Sequence, residues 1–200
     1  MEPVICLASA SPRRRELLAQ IGVPHHAVAA AIDESRRTGE TARAYVARLA
    51  RAKCTAIHAQ PALSRALPVL AADTVVSVDE DLLGKPVDRA EALAMLRRLS
   101  GRQHVVLTAV CLQTATASFE RVAVTTVKFA PIREPDLERY LDSREPYDKA
   151  GAYAVQGLAA VFIDELHGSY SNVVGLPLAE TAAVLAAAGL PFWCGCADES

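Results

Sequence analysis

Apolar residues fall in short blocks separated by polar turns, and the blocks alternate between strand and helix periods. Val4 to Ala8 is a continuous apolar run of strand length. Pro12 opens a helix through Ile21, with Gly22 as its stop. His25 to Ala30 reads as a second strand, and Ala31 to Glu40 as a polar loop. Thr41 caps a long helix to about Ala59. Val69 to Val78 forms a strand interrupted by Asp73 and Thr74. Arg89 to Leu99 is a helix closed by Ser100-Gly101. His104 to Gln113 and Arg121 to Phe129 are long strands paired across the Thr114 to Glu120 connection. Pro135 starts a helix to about Ser143, and Arg144 to Gly157 is a polar loop. Leu158 to Leu166 is expected to be a strand. Pro177 opens the last helix and Gly189 closes it. Interleaved strands and helices with one hairpin imply an α/β fold on a mixed sheet, and bent long strands would serve two lobes around a cleft.

Composition narrows the class. The chain has 200 residues, 52% of them hydrophobic, enough for one substantial core or two small lobes on one sheet. A single domain over 1–200 is expected, without internal repeats or a long linker. No apolar run reaches the roughly 20 residues that span a bilayer. The basic cluster follows the first apolar run, the wrong order for a secretory signal, so a cytoplasmic location is expected. A net charge of −2 argues against a nucleic-acid partner. Five scattered cysteines point to free thiols, and the Cys194/Cys196 pair is too small a ligand set for structural zinc.

Several polar residues stand where polarity is costly. Ser9 to Arg15 (SASPRRR) lies between a buried strand and a helix N-terminus, where free N–H groups, hydroxyls and guanidinium forks favour phosphate. Its plainer use is a serine cap with a solvated basic turn. Lys53 falls on the apolar stripe of Val46, Leu49, Ala50 and Ile57, so it must snorkel, pair or face a polar cavity. On that basis Lys53→Met is expected to leave stability unchanged or raise it. Asp73 sits inside an apolar strand run and suggests a strand opening on a cleft. Asp33 and Glu34, adjacent in a loop, would with Asp73 offer hard oxygen ligands to Mg²⁺. Leu83-Gly84-Lys85-Pro86 reads as an ordinary turn. The loop from Glu145 to Gly157 holds one amide, Gln156, and suits recognition. His25, His26 and His58 show no ligand spacing and read as structural.

Taken together, these segments resemble the Maf family of nucleotide pyrophosphatases. The matching stretches are LASASPRRRELLAQIG at 7–22, DE at 33–34, ARLARAKC at 47–54, AADTVV at 71–76 and LGKPVD at 83–88. LSGRQHVVLTAV at 99–110, EPYDKAGAYAVQG at 145–157 and GSYSNVVGLPL at 168–178 complete the series. They run in order along the chain. The resemblance implies a mixed-sheet α/β fold related to inosine-triphosphatase-like proteins, cleavage between the α and β phosphates, a divalent cation (Mg²⁺ or Mn²⁺) and a homodimer. Arg13, Thr74 and Gln156 resemble the dTTP/UTP branch. The sister branch, acting on 7-methyl-GTP, has a different loop where Gln156 sits.

Chemistry and resemblance assign roles together. Triphosphate hydrolysis needs charge neutralisation, a placed water and a stabilised leaving group. Glu34 and Asp73 are expected to hold the metal, with Asp73 also orienting or deprotonating the water. Arg13, Arg14, Lys53 and Lys85 are expected to hold phosphates, with Ser9 as hydroxyl donor. Thr74 and Gln156 are expected to form the base pocket. The alternatives are a 7-methyl-GTP pyrophosphatase and a non-catalytic nucleotide-binding regulator of cell division.

Overall fold

The computed structural model describes residues 1–194; Cys196, half of the cysteine pair weighed above, lies outside them. Seven strands and seven α-helices make a mixed α/β fold among the described residues. The sheet order is β2-β1-β3-β5-β6-β7, with β4 paired to β3. Strand β1 (Ile5–Ala8) runs parallel to both β2 (His25–Val28) and β3 (Val69–Val78). Strand β4 (Asp81–Leu83) is antiparallel to β3, and β7 (Ile163–His167) antiparallel to β6 (Ser118–Phe129). Strand β5 (Gln103–Gln113) meets β6 through a tight turn in which the Thr114 N–H donates to Ala117 O at 2.9 Å.

The chain forms two compact units. One comprises Met1–Asp73, Thr108–Ala123 and the segment from Gly175. It holds α1 (Pro12–Gln20), α2 (Ala42–His58), the short α3 (Pro61–Ser64) and α7 (Leu178–Ala187). Helix α1 starts on Pro12, whose fixed φ and missing N–H suit a first turn. Helix α2 is capped by Thr41 Oγ1, which accepts from the Ala44 N–H. Ile5, Leu7, Leu18, Leu49, Ile57, Leu70 and Leu112 are its most enclosed large side chains.

The other unit comprises Thr74–Leu107 and Val124–Val174, with α4 (Arg89–Leu99), α5 (Glu134–Asp142) and α6 (Tyr170–Val174). Asp88 caps α4 by accepting from the Glu91 N–H at 2.8 Å, while the Glu91 carboxylate takes the Val87 N–H at 2.7 Å. Its core gathers Val76, Leu96, Leu99, Phe129, Leu137, Leu141 and Phe162.

Two departures from the sequence reading are caused by side chains distant along the chain. Residues Leu158–Phe162 form a 3₁₀ turn rather than the start of a strand, and only Ile163–His167 extends. The Glu145 carboxylate accepts from the Leu158 N–H at 2.9 Å and the Ala159 N–H at 3.3 Å, and from the Tyr140 hydroxyl at 2.9 Å. A Cβ on Gly157 would stand 2.0 Å from that carboxylate, so only glycine admits this cap. Strand β4 was absent from the sequence reading. It returns through Asp79 and Glu80, both at positive φ (51° and 67°), without the glycine or asparagine that such turns favour. Arginines hold the turn instead: Arg98 bonds Val78 O and Asp81, and Arg102 grips Asp79 at 2.7 and 2.9 Å.

Candidate active site

The first unit gathers six of the expected residues: Ser9, Arg13, Arg14, Glu34, Lys53 and Asp73. Buried Ser9 directly follows strand β1, and its hydroxyl accepts from the Ser11 N–H at 3.2 Å and from Arg14 Nη1 at 3.4 Å. Arg14 also donates through Nε to Gly175 O and through Nη1 to Ala72 O, both at 2.7 Å. It therefore ties α1 to β3 and to the Gly175 segment, and burial lowers its pKa despite the nearby Asp73 charge. Beside it, Arg13 Nε is buried with no hydrogen-bond partner among the described residues. A buried donor left unmade costs free energy, which an incoming anion would recover. No acidic residue occupies the first turn of α1 to balance the arginines.

Lys53 resolves the question raised by its place on the apolar stripe. Its Nζ lies 2.7 Å from Asp73 Oδ1 and 2.7 Å from Glu34 Oε1. The ammonium is paired, not snorkelled. Asp73 is 6% exposed and does not interrupt β3. Burial pushes its pKa up, Lys53 and Arg14 pull it down, and the Glu34 charge adds a smaller upward push. The two carboxylate oxygens are thus no further apart than the two Lys53 bonds laid end to end. Of the neighbours Asp33 and Glu34, only Glu34 reaches the ammonium. Asp33 Oδ1 instead accepts from the Ser35 N–H at 2.9 Å, closing a local turn that lowers its pKa.

Three residues that the sequence reading missed hold the loop carrying Glu34. The Tyr45 hydroxyl donates to Glu34 O at 2.9 Å, and Arg48 Nη2 donates to Ser35 O at 3.0 Å. Arg48 also grips Glu40 in a fork, Nε to Oε1 at 2.6 Å and Nη2 to Oε2 at 2.8 Å. That fork brings the Glu40 carboxyl down to about 2. The spacing of Tyr45 and Arg48 along one face of α2 was the available signal.

A divalent cation is tested by this donor set. Two carboxylates converge on one positive group, and Mg²⁺ commonly takes one or two carboxylates and completes its shell with water and phosphate oxygens. Glu34 and Asp73 fit such an ion. Among the described residues no group of three His, Cys, Asp or Glu side chains converges to hold a metal by itself.

Thr74, Lys85 and Gln156 belong to the second unit. Thr74 is half-buried on β3, while Lys85 and Gln156 are exposed. The turn bearing Lys85 is tied to the Gln156 loop by the Gly151 N–H, which donates to Gly84 O at 3.0 Å. Gly151, at φ +69°, also lies against Val76, where a Cβ would meet side-chain carbons at 3.0 Å. The histidines at 25 and 26 bond the backbone carbonyls of Val23 and Leu63, a structural use. Cys6, Cys54, Cys111 and Cys194 are free thiols.

The Maf-like protein family model matches residues 4–188, nearly the whole chain. The chain belongs to the Maf family. Its relatives include the dTTP/UTP pyrophosphatase of Hahella chejuensis, 48% identical over 189 residues and 94% of each chain. The protein of the same name from Bordetella parapertussis is 50% identical over 196 residues, again 94% of each chain. That from Burkholderia pseudomallei is 48% identical over 201 residues, 95% of this chain and 96% of the relative. No helix among the described residues is long and apolar enough to cross a membrane.

Proposed function

We propose that this Maf-family chain hydrolyses dTTP and UTP between the α and β phosphates, giving the nucleoside monophosphate and diphosphate, as a nucleotide-pool sanitising enzyme. The observation that carries the chemistry is the Glu34–Lys53–Asp73 cluster, in which buried Asp73 has its pKa raised. The names of relatives near 50% identity support the substrate.

Burial makes Asp73 a stronger proton acceptor than a solvated aspartate, which suits a general base. It accepts a proton from the attacking water at its carboxylate, and Lys53 fixes that carboxylate at 2.7 Å. Arg13, with its unpartnered Nε, binds phosphate. Arg14 positions Ser9 and lends its charge. Lys53 and Lys85 supply further positive charge for the phosphates, and Thr74 and Gln156 recognise the base. Glu34 and Asp73 would hold Mg²⁺ or Mn²⁺, which would supply neutralisation of the triphosphate charge. A homodimer and a cytoplasmic location are part of the same proposal.

A panel of dTTP, UTP, CTP, GTP and 7-methyl-GTP, with Mg²⁺ and with Mn²⁺, tests the reading. The highest kcat/KM is expected for dTTP and UTP. Preference for 7-methyl-GTP would move the chain to the sister branch. Binding without turnover would favour the non-catalytic regulator.

A further inference from the structure

The loop from Arg144 to Gly157 is held in a conformation its own residues disfavour. Gly151 and Ala152 are consecutive residues at positive φ, 69° and 60°. Ala152 carries a side chain and is fully buried, so its left-handed backbone is strained. Such strain persists where the surroundings over-determine it, and it gathers at functional sites.

The next residue supplies the constraint. The Tyr153 hydroxyl lies 2.8 Å from His104 Nε2 on β5, and both groups are buried. Phe129 completes an edge-to-face trio: ring centroids lie 5.0 Å apart for His104–Phe129, 5.4 Å for His104–Tyr153 and 4.9 Å for Phe129–Tyr153. Burial brings the His104 pKa down to about 4, so the ring is neutral. Its Nδ1 is buried without a partner among the described residues. In either tautomer one ring nitrogen carries a desolvation penalty that a phenylalanine or leucine would avoid. Packing alone therefore does not account for histidine here. The bond to Tyr153 does.

We infer that His104 is a positioning residue, which through its hydrogen bond to Tyr153 locks the strained Gly151-Ala152 turn and so fixes the base-recognition loop carrying Gln156. The inference rests on the proposed reading of Gln156 for its kinetic consequence, but not for the anchoring itself. Only Ala154 and Val155 separate Tyr153 from Gln156, and the Gly157 N–H closes back on Ala154 O at 3.1 Å. Little slack remains between the anchor and the amide.

The test is Tyr153→Phe, which keeps the ring and deletes the hydroxyl, with hydrogen exchange and kinetics measured on the full chain. Amides of residues 149–157 are expected to exchange about three- to tenfold faster, the worth of one hydrogen bond. The KM for dTTP is expected to rise by a similar factor, with kcat little changed. His104→Leu should reproduce both effects. His104→Gln, whose terminal amide reaches the place of Nε2, should restore them, whereas the shorter His104→Asn should not. Unchanged loop exchange in Tyr153→Phe overturns the inference. So does a loosened loop with unaltered KM, since the bond would then be structural only. The two readings separate in Gln156→Ala. If that variant treats all nucleotides as wild type does, base reading by Gln156 fails, while a loosened loop and raised KM in Tyr153→Phe still uphold the anchor.

Discussion

Replacing Lys53 by Met removes the ammonium that sits 2.7 Å from both Asp73 and Glu34. The apolar stripe alone suggested a neutral or stabilising change, and the ion pair reverses that expectation. Glu34 is half exposed and recovers its hydration, but Asp73 is left charged and buried. Breaking a buried pair from one side costs about 3–5 kcal/mol, and Arg14 nearby favours the lower end. For a chain of this length about 3 kcal/mol corresponds to a Tm lower by roughly 6–12 °C. The effect depends on pH in a definite direction. The folded-state pKa of Asp73 is already raised by burial, and losing Lys53 raises it further. A raised carboxylate pKa means that the folded state holds the proton more tightly, so Asp73 takes stability away as pH rises through that window. Protonation also caps the loss. Neutralising a carboxyl of ordinary pKa near 3.9 at pH 5 costs about 1.5 kcal/mol. The Tm deficit of Lys53→Met, measured by scanning calorimetry, should therefore be largest at pH 8 and at least halved at pH 5. An equal deficit at both values, or none at pH 8, would refute the buried-pair argument.

Other substitutions probe separate parts of the account. Asp73→Asn should fold and lose about 100-fold or more in turnover, because the amide lacks the charge that would attract a cation and does not accept the proton; a folded variant with wild-type turnover would remove Asp73 from its role. Gln156→Ala should lower kcat/KM for dTTP and UTP about threefold to tenfold more than for CTP or GTP, and an equal fall on all four would end the base-reading idea. Gly157→Ala should lose about 1–3 kcal/mol in denaturant unfolding, because its methyl displaces the Glu145 carboxylate from Leu158 and Ala159. Wild-type stability there would mean that the cap contributes nothing.

Elements bounded by proline, threonine or glycine were legible in sequence because backbone chemistry marks their ends. Helix α1 begins on Pro12, α2 follows its Thr41 cap, and α4 spans the same Arg89–Leu99 in both readings. Strand β4 was not legible, since its turn uses Asp79 and Glu80 and depends on arginines 17 to 23 residues away. The Leu158 segment misled because its apolar run is turned by a carboxylate from Glu145, beyond the reach of any local pattern. At the site, polarity out of place identified Lys53 and Asp73. It did not separate Asp33 from Glu34, because adjacent loop carboxylates differ only in where the loop aims them. Nor did it show that Arg14 would spend its donors on Ala72 O and Gly175 O, or that Tyr45 and Arg48 would hold the Glu34 loop. Those contacts join segments distant in sequence or follow from a loop with no periodicity.

The central claim is cleavage between the α and β phosphates of a pyrimidine triphosphate. It is tested most directly by following purified protein with dTTP and Mg²⁺ by phosphorus NMR. The account predicts dTMP and diphosphate as the first products, with turnover abolished by a chelator and restored by added Mg²⁺. Release of dTDP and orthophosphate, or turnover indifferent to the chelator, would contradict it.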